Sequence, residues 1–390
     1  MLYKEVVRVG LCTYCGTCVG ACPHGIISLN EELEEPYFSK MDYCPKNCQV
    51  CYVICPGKDI PIPDLEKVVF GRVKKEDERE VGIYKELYSA HAKDRTIREA
   101  GASGGCGTAL LKYAFEAGLI DGAVIASMSE NRPWRGEARL ITSTEEIFLA
   151  SQSKYTMIPI NAALAQVKNR KLEKIMVTGL PCHIHGIRKG QALGLKLFRK
   201  IKYTMGIVCG YCVPHEMTEH LITEIGETEL DCVSKIEYRG GQYPGGFRIT
   251  RKNGIVISIS SALRRAFSLC FLRDRCTMCY DWGAELADIA IGDYFVFNPE
   301  QGPQALSTLI VRTDTGKELI NEAEGCGFLR ISKILYEDVL GNLGVEFKKH
   351  GFGYHLKSRS RWGWPVPNYH QKIESDPVPR KILTNHPYLK

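Results

Sequence analysis

The chain has 390 residues, of which 44% are hydrophobic and 25% are charged, and its formal net charge is +6. These values are typical of a globular protein with room for two or three domains, and the charge is too small to indicate nucleic-acid binding by itself. The first ten residues carry charges without an apolar core, and no run reaches the roughly 18 apolar residues of a membrane span. We therefore expect a cytoplasmic protein.

Cysteine is unusually frequent, with 17 copies. An odd count without a secretory signal argues against a disulfide framework. Two runs near the start carry the informative spacing, Cys12-x2-Cys15-x2-Cys18-x3-Cys22-Pro23 and Cys44-x3-Cys48-x2-Cys51-x3-Cys55-Pro56. In such runs three thiolates hold one 4Fe-4S cluster, and the cysteine before the proline ligates the other cluster. The spacing predicts one cluster on Cys12, Cys15, Cys18 and Cys55, and a second on Cys44, Cys48, Cys51 and Cys22. Structural zinc is the weaker alternative, because its ligands would be more local.

The organisation of the chain follows from these runs. Residues 1–60 form a ferredoxin-like module with two 4Fe-4S clusters and a short strand near Ile27. Residues 61–85 contain prolines and a run of charges, which predicts a linker or a solvated connecting segment. Residues 346–390 form a C-terminal tail that we expect to pack loosely from Gly351 onward.

The region between linker and tail, residues 86–345, alternates between strand and helix patterns. A helix is predicted over 108–115, and buried strands over 121–126, 174–179 and 202–209. Asn253-Gly254 lies between two alternating runs and predicts a hairpin. The fold class is therefore α+β or α/β, with at least part of the sheet parallel.

A small, glycine-rich loop precedes the predicted helix. Glycines such as Gly104 and Gly105 let the backbone approach a phosphate, the helix start supplies free N–H groups, and Ser103 adds a hydroxyl. A tight turn that binds nothing is an equally good interpretation. Lys154 and Tyr155, further along, are candidates for contact with a flavin or a substrate phosphate.

A third group of cysteines lies in the second half of the chain, at positions Cys182, Cys209, Cys212, Cys270, Cys276 and Cys279. Cys276-x2-Cys279 has metal-ligand spacing, and the other ligands of a further cluster would come from the remaining four. A buried, unreactive thiol is the alternative for each single cysteine. His183 and His185 beside Cys182 are either proton donors near a redox centre or, slightly favoured, ordinary polar residues.

Several of these segments occur together in one order that resembles a known family. The order is 101–105 (GASGG), 153–155 (SKY), 178–182 (TGLPC), 276–281 (CTMCYD), 284–289 (AELADI) and 291–293 (IGD). It is similar to the beta subunits of coenzyme F420-reducing hydrogenase and of F420-dependent formate dehydrogenase. With the two-cluster module in front, it is most similar to the F subunits of the F420H2 dehydrogenases of archaeal respiratory complexes. The resemblance covers about residues 1–345.

The resemblance implies an iron–sulfur flavoprotein. FAD would lie in the 86–345 domain, with Ser103, Gly104 and Gly105 near its phosphates and Lys154 and Tyr155 also lining the site. A third 4Fe-4S cluster would be held by Cys182, Cys209, Cys276 and Cys279, with Cys212 and Cys270 as competing ligands. The carboxylate-rich tail of coenzyme F420 would favour basic residues, and the candidates are Lys196, Arg199, Lys200, Lys202, Arg264 and Arg265. A solvated surface is the favoured alternative for each of these groups. No residue is assigned a catalytic role.

The implied activity is a coenzyme F420-dependent oxidoreductase. F420 exchanges a hydride and a cluster takes one electron, so FAD has to stand between them. The partner would be a ferredoxin or a redox subunit of a larger complex, with at most peripheral membrane contact. The alternative is a reductase on the same scaffold that receives electrons from ferredoxin and delivers them to another organic substrate.

Overall fold

The structure is a computed structural model of the chain, and it describes residues 1–168, 170–298 and 302–373. Its strands are β1 (Ile27–Asn30), β2 (Glu35–Phe38), β3 (Glu86–Ala92), β4 (Gly122–Met128), β5 (Gly136–Ile141), β6 (Ile175–Gly179), β7 (Ile201–Ile207), β8 (Val233–Gly240), β9 (Gly246–Arg251), β10 (Val256–Ile259), β11 (Ile289–Asn298), β12 (Gly302–Val311) and β13 (Leu329–Lys333).

The α-helices are α1 (Thr17–Ala21), α2 (Val50–Val53), α3 (Ile62–Phe70), α4 (Arg95–Ala100), α5 (Cys106–Glu116), α6 (Leu164–Lys168), α7 (Pro181–Ala192), α8 (Lys196–Arg199), α9 (His215–His220), α10 (Ser261–Leu269), α11 (Asp274–Thr277), α12 (Asp314–Gly325), α13 (Tyr336–Leu343) and α14 (Val345–Arg361). Short 3-10 or π turns occupy Tyr3–Val7, Met41–Tyr43, Glu76–Glu78, Thr144–Ala150, Ile160–Ala163, Leu221–Ile225 and Leu230–Cys232. Within the described ranges, no helix combines the length and apolarity that crossing a bilayer requires.

An eight-stranded mixed sheet organises the chain, in the order β13-β3-β12-β11-β7-β6-β4-β5. The four central strands β11, β7, β6 and β4 run parallel, and the outer pairings are antiparallel. The predicted strands and the partly parallel sheet are therefore confirmed. Parallel strands place their carboxyl ends at one edge, which is where ligand sites form in such sheets.

Both faces of this sheet are covered, which explains why its central strands are apolar throughout. Ile125 and Met176 point to a core with helices α5 and α12. Val124 and Val177, the alternate residues, point to a second core that includes Ile184 of α7. That second core also takes in apolar side chains from the N-terminal module, so the module and the sheet domain share one hydrophobic interior.

The N-terminal module contains the predicted short strand, which pairs with β2 as an antiparallel hairpin (Ile27 opposite Phe38). A separate three-stranded antiparallel sheet has the order β10-β9-β8. Its β9–β10 turn is the predicted Asn253-Gly254 hairpin, where Gly254 has a φ of +85° that favours glycine.

The expectations of a solvated segment at 61–85 and of a loosely packed tail agree only in part with the described residues, since Lys75, Glu76 and Asp77 are exposed, as are residues 360–365. Helix α3 lies in the first segment, and Lys74, whose side chain is 11% exposed, lies between the carboxylates of Glu66 (3.1 Å) and Glu285 (3.0 Å). Helix α14 begins the tail, and its Lys349 forms a buried ion pair with Glu285 at 2.6 Å. Further on, the Tyr369 hydroxyl donates to the Met278 carbonyl at 3.0 Å. Some of the charged residues of these two segments therefore form a buried network around Glu285, and others face solvent. Residues 374–390 of the tail lie outside the described ranges.

Candidate iron–sulfur and flavin site

The first cysteine run folds into a reversing loop that leads into α1. Tyr14 and Gly16 have φ angles of +52° and +76°, so the chain turns back on itself between consecutive cysteines. As a result, Cys12, Cys15 and Cys18 line one cavity together with Cys55 of the second run. We call these four residues the enclosed set. Burial raises the pKa of Cys55 to about 12, and its neighbours Cys15 and Cys12 contribute in the same direction.

The second run meets the remaining cysteine of the first run. Burial raises the pKa of Cys51 to about 11, and the nearby thiols of Cys22, Cys48 and Cys44 raise it further. These four cysteines are therefore neighbours in space, and three of them, Cys44, Cys48 and Cys51, are partly exposed. We call them the surface set. The structure thus brings together the two groups of four that the spacing predicts, each with one cysteine from the other run.

A third group, the inner set, forms at the carboxyl edge of the central strands. Cys182 follows β6 and Cys209 follows β7, two neighbouring parallel strands. Cys276 and Cys279 come from the turn around α11, and Cys212 joins them, so five thiols converge. Cys270 is exposed at the end of α10 and is not among them. Burial raises the pKa of Cys276 and of Cys279.

The C-terminal helix covers this inner set, which the sequence did not predict. Lys348 of α14 donates to the carbonyl of Cys209 at 2.5 Å. Its ammonium group also interacts electrostatically with the thiols of Cys276 and Cys279. An isolated lysine in a tail segment carries no sequence signal for such a contact.

The three sets form a continuous series. Burial raises the pKa of Cys182 of the inner set, and among its neighbours Cys15 of the enclosed set contributes most in the same direction. Cys18 of the enclosed set in turn interacts with Cys51 of the surface set. The order in space is therefore inner, enclosed, surface.

The chemistry of these three sets fits iron–sulfur clusters, because each set consists of cysteines and cysteine thiolates are the ligands of 4Fe-4S clusters. The guanidinium of Arg275 is only 4% exposed and donates to the carbonyls of Gly57 (3.0 Å) and Pro56 (3.3 Å). It has no carboxylate partner within the described chain, and it lies beside Cys276 and Cys279. A buried cation in this position fits a site that carries negative charge.

The glycine-rich loop is held tightly against strand β12. The Ser307 hydroxyl accepts from the Gly104 amide at 3.1 Å and lies 3.0 Å from the Ser103 hydroxyl. A Cβ on Gly104 would lie 2.4 Å from the Ala90 carbonyl oxygen, and Gly105 has a φ of +73° where α5 begins. Close packing and turn geometry therefore account for both glycines, and the Gly104 amide is already used within the protein.

The segment that contains Lys154 and Tyr155 lies beside this loop. The Gln152 side chain donates to the Ala100 carbonyl at 3.2 Å, and the hydroxyls of Ser151 and Thr108 are 3.3 Å apart. Lys154 donates only to carbonyls in the described structure, at 2.5 Å to Ser151, and burial lowers its pKa to about 8. A half-buried ammonium group without a carboxylate is suited to an anionic ligand.

Tyr155 is surrounded by aromatic and basic side chains. The Arg264 guanidinium lies 4.3 Å from the centre of its ring, and Tyr238 meets the ring edge-on at 5.8 Å. Arg264 is buried, and its Nε atom has no hydrogen-bond partner in the described structure. Arg239, which the sequence did not single out, interacts with Tyr155 and donates to both carboxylate oxygens of Asp293 at 2.9 and 2.8 Å.

The other basic candidates lie elsewhere. Lys196, Arg199, Lys200 and Lys202 sit around the start of β7, opposite the edge that carries Cys209. Lys200 is bound to the Leu172 carbonyl at 2.9 Å and to Glu173 at 2.8 Å. Their suggested role at a pocket mouth is therefore not supported by their position.

The two histidines beside Cys182 have structural contacts. His183 accepts from the Leu180 amide at Nδ1 (2.9 Å) and its Nε2 lies 3.0 Å from the Ile158 carbonyl oxygen. Burial lowers the pKa of His183 to about 4, so its ring is neutral at physiological pH. His185 Nε2 lies 2.8 Å from the buried Asp281 carboxylate. The preferred interpretation as ordinary polar residues agrees with these contacts.

Comparison with protein families finds two adjacent matches, both to the beta subunit of coenzyme F420 hydrogenase/dehydrogenase. The N-terminal domain of that family matches residues 87–165, and its C-terminal domain matches residues 172–335. A 4Fe-4S binding domain matches residues 5–28. The inner set, Lys154 and Tyr155 all fall inside the first two matches.

Among known relatives, the chain is 28% identical to the coenzyme F420-dependent sulfite reductase of Methanocaldococcus jannaschii over 82% of this chain, but it spans only 47% of that protein. It is 29% identical to the beta subunit of the coenzyme F420 hydrogenase of Methanothermobacter thermautotrophicus, over 74% of this chain and 99% of the relative. It is 26% identical to the F subunit of the F420H2 dehydrogenase of Methanosarcina mazei, over 90% of this chain and 93% of the relative.

A solved structure supports the fold. A chain in the F420-reducing NiFe hydrogenase complex from Methanosarcina barkeri superposes with a TM-score of 0.60 at 24% identity. The match covers 75% of this chain and 97% of that chain.

Proposed function

Because the chain belongs to the family of coenzyme F420 hydrogenase/dehydrogenase beta subunits, we propose that it is an F420-dependent iron–sulfur flavoprotein oxidoreductase. Bound FAD would connect F420 with the clusters, since a flavin exchanges a hydride with F420 and single electrons with a 4Fe-4S cluster. The observation that carries the proposal is the continuous series of three thiol sets that begins beside Tyr155 and ends at the surface.

The proposed cluster ligands follow the three sets. The enclosed set holds one 4Fe-4S cluster and the surface set a second. For the third cluster we propose Cys182, Cys209, Cys276 and Cys279, as the family resemblance implies. Cys212 is still the competing ligand, since it lies within the inner set. Cys270 is the weaker competitor, because it is exposed at the end of α10.

The proposed flavin site lies where the inner set meets the Tyr155 segment. Cys212 contacts the Thr156 carbonyl at 3.7 Å, so the residue after Tyr155 touches the inner thiols directly. Lys154 would neutralise a flavin phosphate, and Tyr155 would lie against the flavin. Ser103 would add its hydroxyl at the loop. Gly104 and Gly105 would contribute the close packing that lets α5 begin there, since the Gly104 amide is committed to Ser307.

Among the basic candidates for contact with F420, Arg264 has the contacts that best support the proposal. Arg264 is buried, lies over Tyr155 and offers an unpaired Nε atom in the described structure, all of which favour an anionic ligand such as a carboxylate of F420. Arg239 would help to position Tyr155, because it interacts with Tyr155 and donates to the Asp293 carboxylate. Both cations would bind and orient ligands, and neither is assigned a proton-transfer step.

The proposed partner is a ferredoxin or a redox subunit that docks near the surface set, in the cytoplasm and with at most peripheral membrane contact. The alternative function, a reductase of another substrate fed through the same clusters, is favoured by one observation. Most of this chain matches less than half of a coenzyme F420-dependent sulfite reductase, so a scaffold of this kind also occurs as part of a larger reductase of another substrate, although that relative is named as F420-dependent.

An anaerobic titration with reduced F420 tests the proposal. Purified protein should contain FAD and about twelve iron atoms for three cubes. We expect reduced F420 to bleach both the flavin and the cluster absorbance. If dithionite bleaches both but reduced F420 bleaches neither, the F420-dependent activity is wrong and the ferredoxin-fed reductase becomes the better account.

A further inference from the structure

Cations of the sheet domain reach the backbone that carries the enclosed set. Lys189 of α7 is 6% exposed, and its ammonium group donates to the Cys55 carbonyl at 2.8 Å and to the Asp59 carbonyl at 2.5 Å. It also interacts electrostatically with the thiols of Cys55 and Cys15. Its carboxylate neighbour in the described structure is Asp59, which lies 3.7 Å away and is 45% exposed.

Helix geometry explains this placement. Cys182 of the inner set and Lys189 lie seven residues apart on α7, which is close to two full turns. They therefore share a face of the helix. Because Cys182 adjoins Cys15, the same face directs Lys189 at the other side of the enclosed set. The contact between Lys189 and the enclosed set therefore follows from the position of α7, which packs against the N-terminal module.

The surface set lacks an equivalent buried charge among the described residues. Its closest counterpart is Lys168, which donates to the Cys22 carbonyl at 2.5 Å but is itself an exposed residue. Water and salt screen an exposed charge, whereas a buried charge acts through a medium of lower dielectric constant. Two further cations lie near the enclosed set. Arg273 is paired with Glu34 at 3.2 Å and so contributes less net charge, whereas Arg275 is buried and donates to the Gly57 and Pro56 carbonyls next to Cys55.

We propose that Lys189 raises the reduction potential of the enclosed cluster and so favours the arrival of an electron on that cluster. Reduction adds one electron, and hence one negative charge, to a cluster. A buried cation stabilises that added charge, and cluster potentials respond to nearby charge, hydrogen bonding and solvent exposure. The inference rests on the proposed assignment of the enclosed set as a 4Fe-4S site.

The test is an anaerobic redox titration of the full, cluster-loaded protein, with dithionite as reductant and the cluster signals followed by electron paramagnetic resonance. Signals are assigned with Cys51→Ala, which removes the surface cluster. Lys189→Met and Lys189→Gln both remove the charge, and Gln retains a hydrogen-bond donor. In both variants we expect the equilibrium constant for reducing the enclosed cluster to be about tenfold smaller. For a one-electron step this corresponds to a reduction potential that is about 59 mV lower. Lys189→Arg should stay near wild type, as should Lys67→Met, which removes an exposed lysine on α3.

Two results would overturn the inference. One is an unchanged potential in both neutral variants that retain about twelve iron atoms. The other is loss of the enclosed cluster from Lys189→Gln, which would make Lys189 a structural clamp. Failure of the proposed function itself looks different, because it would show in the wild-type protein as missing iron, missing FAD or no response to reduced F420.

Discussion

The enclosed and surface cysteine sets have the same sequence pattern but different surroundings. Cys15 and Cys18 are buried and, with Cys12 and Cys55, line a cavity whose backbone is contacted by Lys189 and Arg275. Cys44, Cys48 and Cys51 are partly exposed, as Cys12 and Cys55 also are, but the cation that contacts the surface set, Lys168, is exposed whereas Lys189 and Arg275 are buried. The difference shows that spacing determines which thiols group together, whereas the neighbouring domain determines how deeply each group is buried. Burial favours internal electron transfer for the enclosed set and exchange with a partner for the surface set.

The largest expected effect comes from removing an enclosed ligand. Cys18→Ala should lose about four of about twelve iron atoms and lower the melting temperature markedly, because metal binding contributes folding free energy. Cys51→Ala should lose the same amount of iron with a smaller change in melting temperature, because its site is at the surface. Iron analysis and thermal unfolding of the two variants check this. Equal shifts in melting temperature would break the distinction between the two sets.

The inner set provides the next test. Cys276→Ala should remove the inner cluster and leave the two N-terminal clusters in place, because its thiol belongs to neither of those sets. Iron content should fall by about one third, with the two N-terminal cluster signals retained. Unchanged iron would show that Cys276 is not a ligand.

Removing a buried charge should lower the free energy of unfolding more than removing an exposed charge, just as a buried cysteine ligand should matter more for stability than an exposed one. Lys349→Met leaves the buried Glu285 with Lys74 as its remaining partner, and breaking such a pair should cost about 3 kcal/mol of unfolding free energy. Lys67→Met breaks an exposed pair with Asp64 and should cost less than about 0.5 kcal/mol. Chemical denaturation measures both, and similar costs would contradict the buried network.

If Lys154 binds a flavin phosphate, we expect the affinity for FAD to depend on pH. Because burial lowers its pKa to about 8, the ammonium form that attracts a phosphate is present below that pH and is lost above it. FAD affinity of the flavin-free protein should therefore fall as the pH rises from about 8 to about 10, as measured by flavin fluorescence. In Lys154→Arg the affinity should stay level over this range. A level profile in the wild-type protein would remove Lys154 from the phosphate site.

The smallest effect is expected at Cys270. It is exposed and separate from the inner set, so Cys270→Ala should leave iron content, FAD content and cluster signals unchanged. Loss of the inner cluster in this variant would reopen the choice of ligands.

Local patterns in the sequence predicted much of this architecture. The cysteine spacing anticipated the two groups of four, and the alternation of strands and helices anticipated the central parallel strands, because both signals are short-range. The roles of Lys189, Arg275 and Lys348 could not be predicted, since each acts through a carbonyl or thiol far away in sequence. Long-range pairing also explains where the linker and the tail depart from the expected solvated segment and loose packing. The charges of the linker and the tail find a common partner in Glu285, which local composition cannot show.

The order of the three sets is tested most directly by rapid freeze-quench electron paramagnetic resonance after mixing with reduced F420. In wild-type protein mixed with excess reduced F420 we predict that the inner, enclosed and surface clusters become reduced in that order, with the third cluster reduced in the second turnover because each hydride supplies two electrons. In Cys18→Ala we predict a reduced inner cluster beside a surface cluster that stays oxidised, because the link between them has been removed. Reduction of the surface cluster at the wild-type rate in that variant would contradict the proposed order.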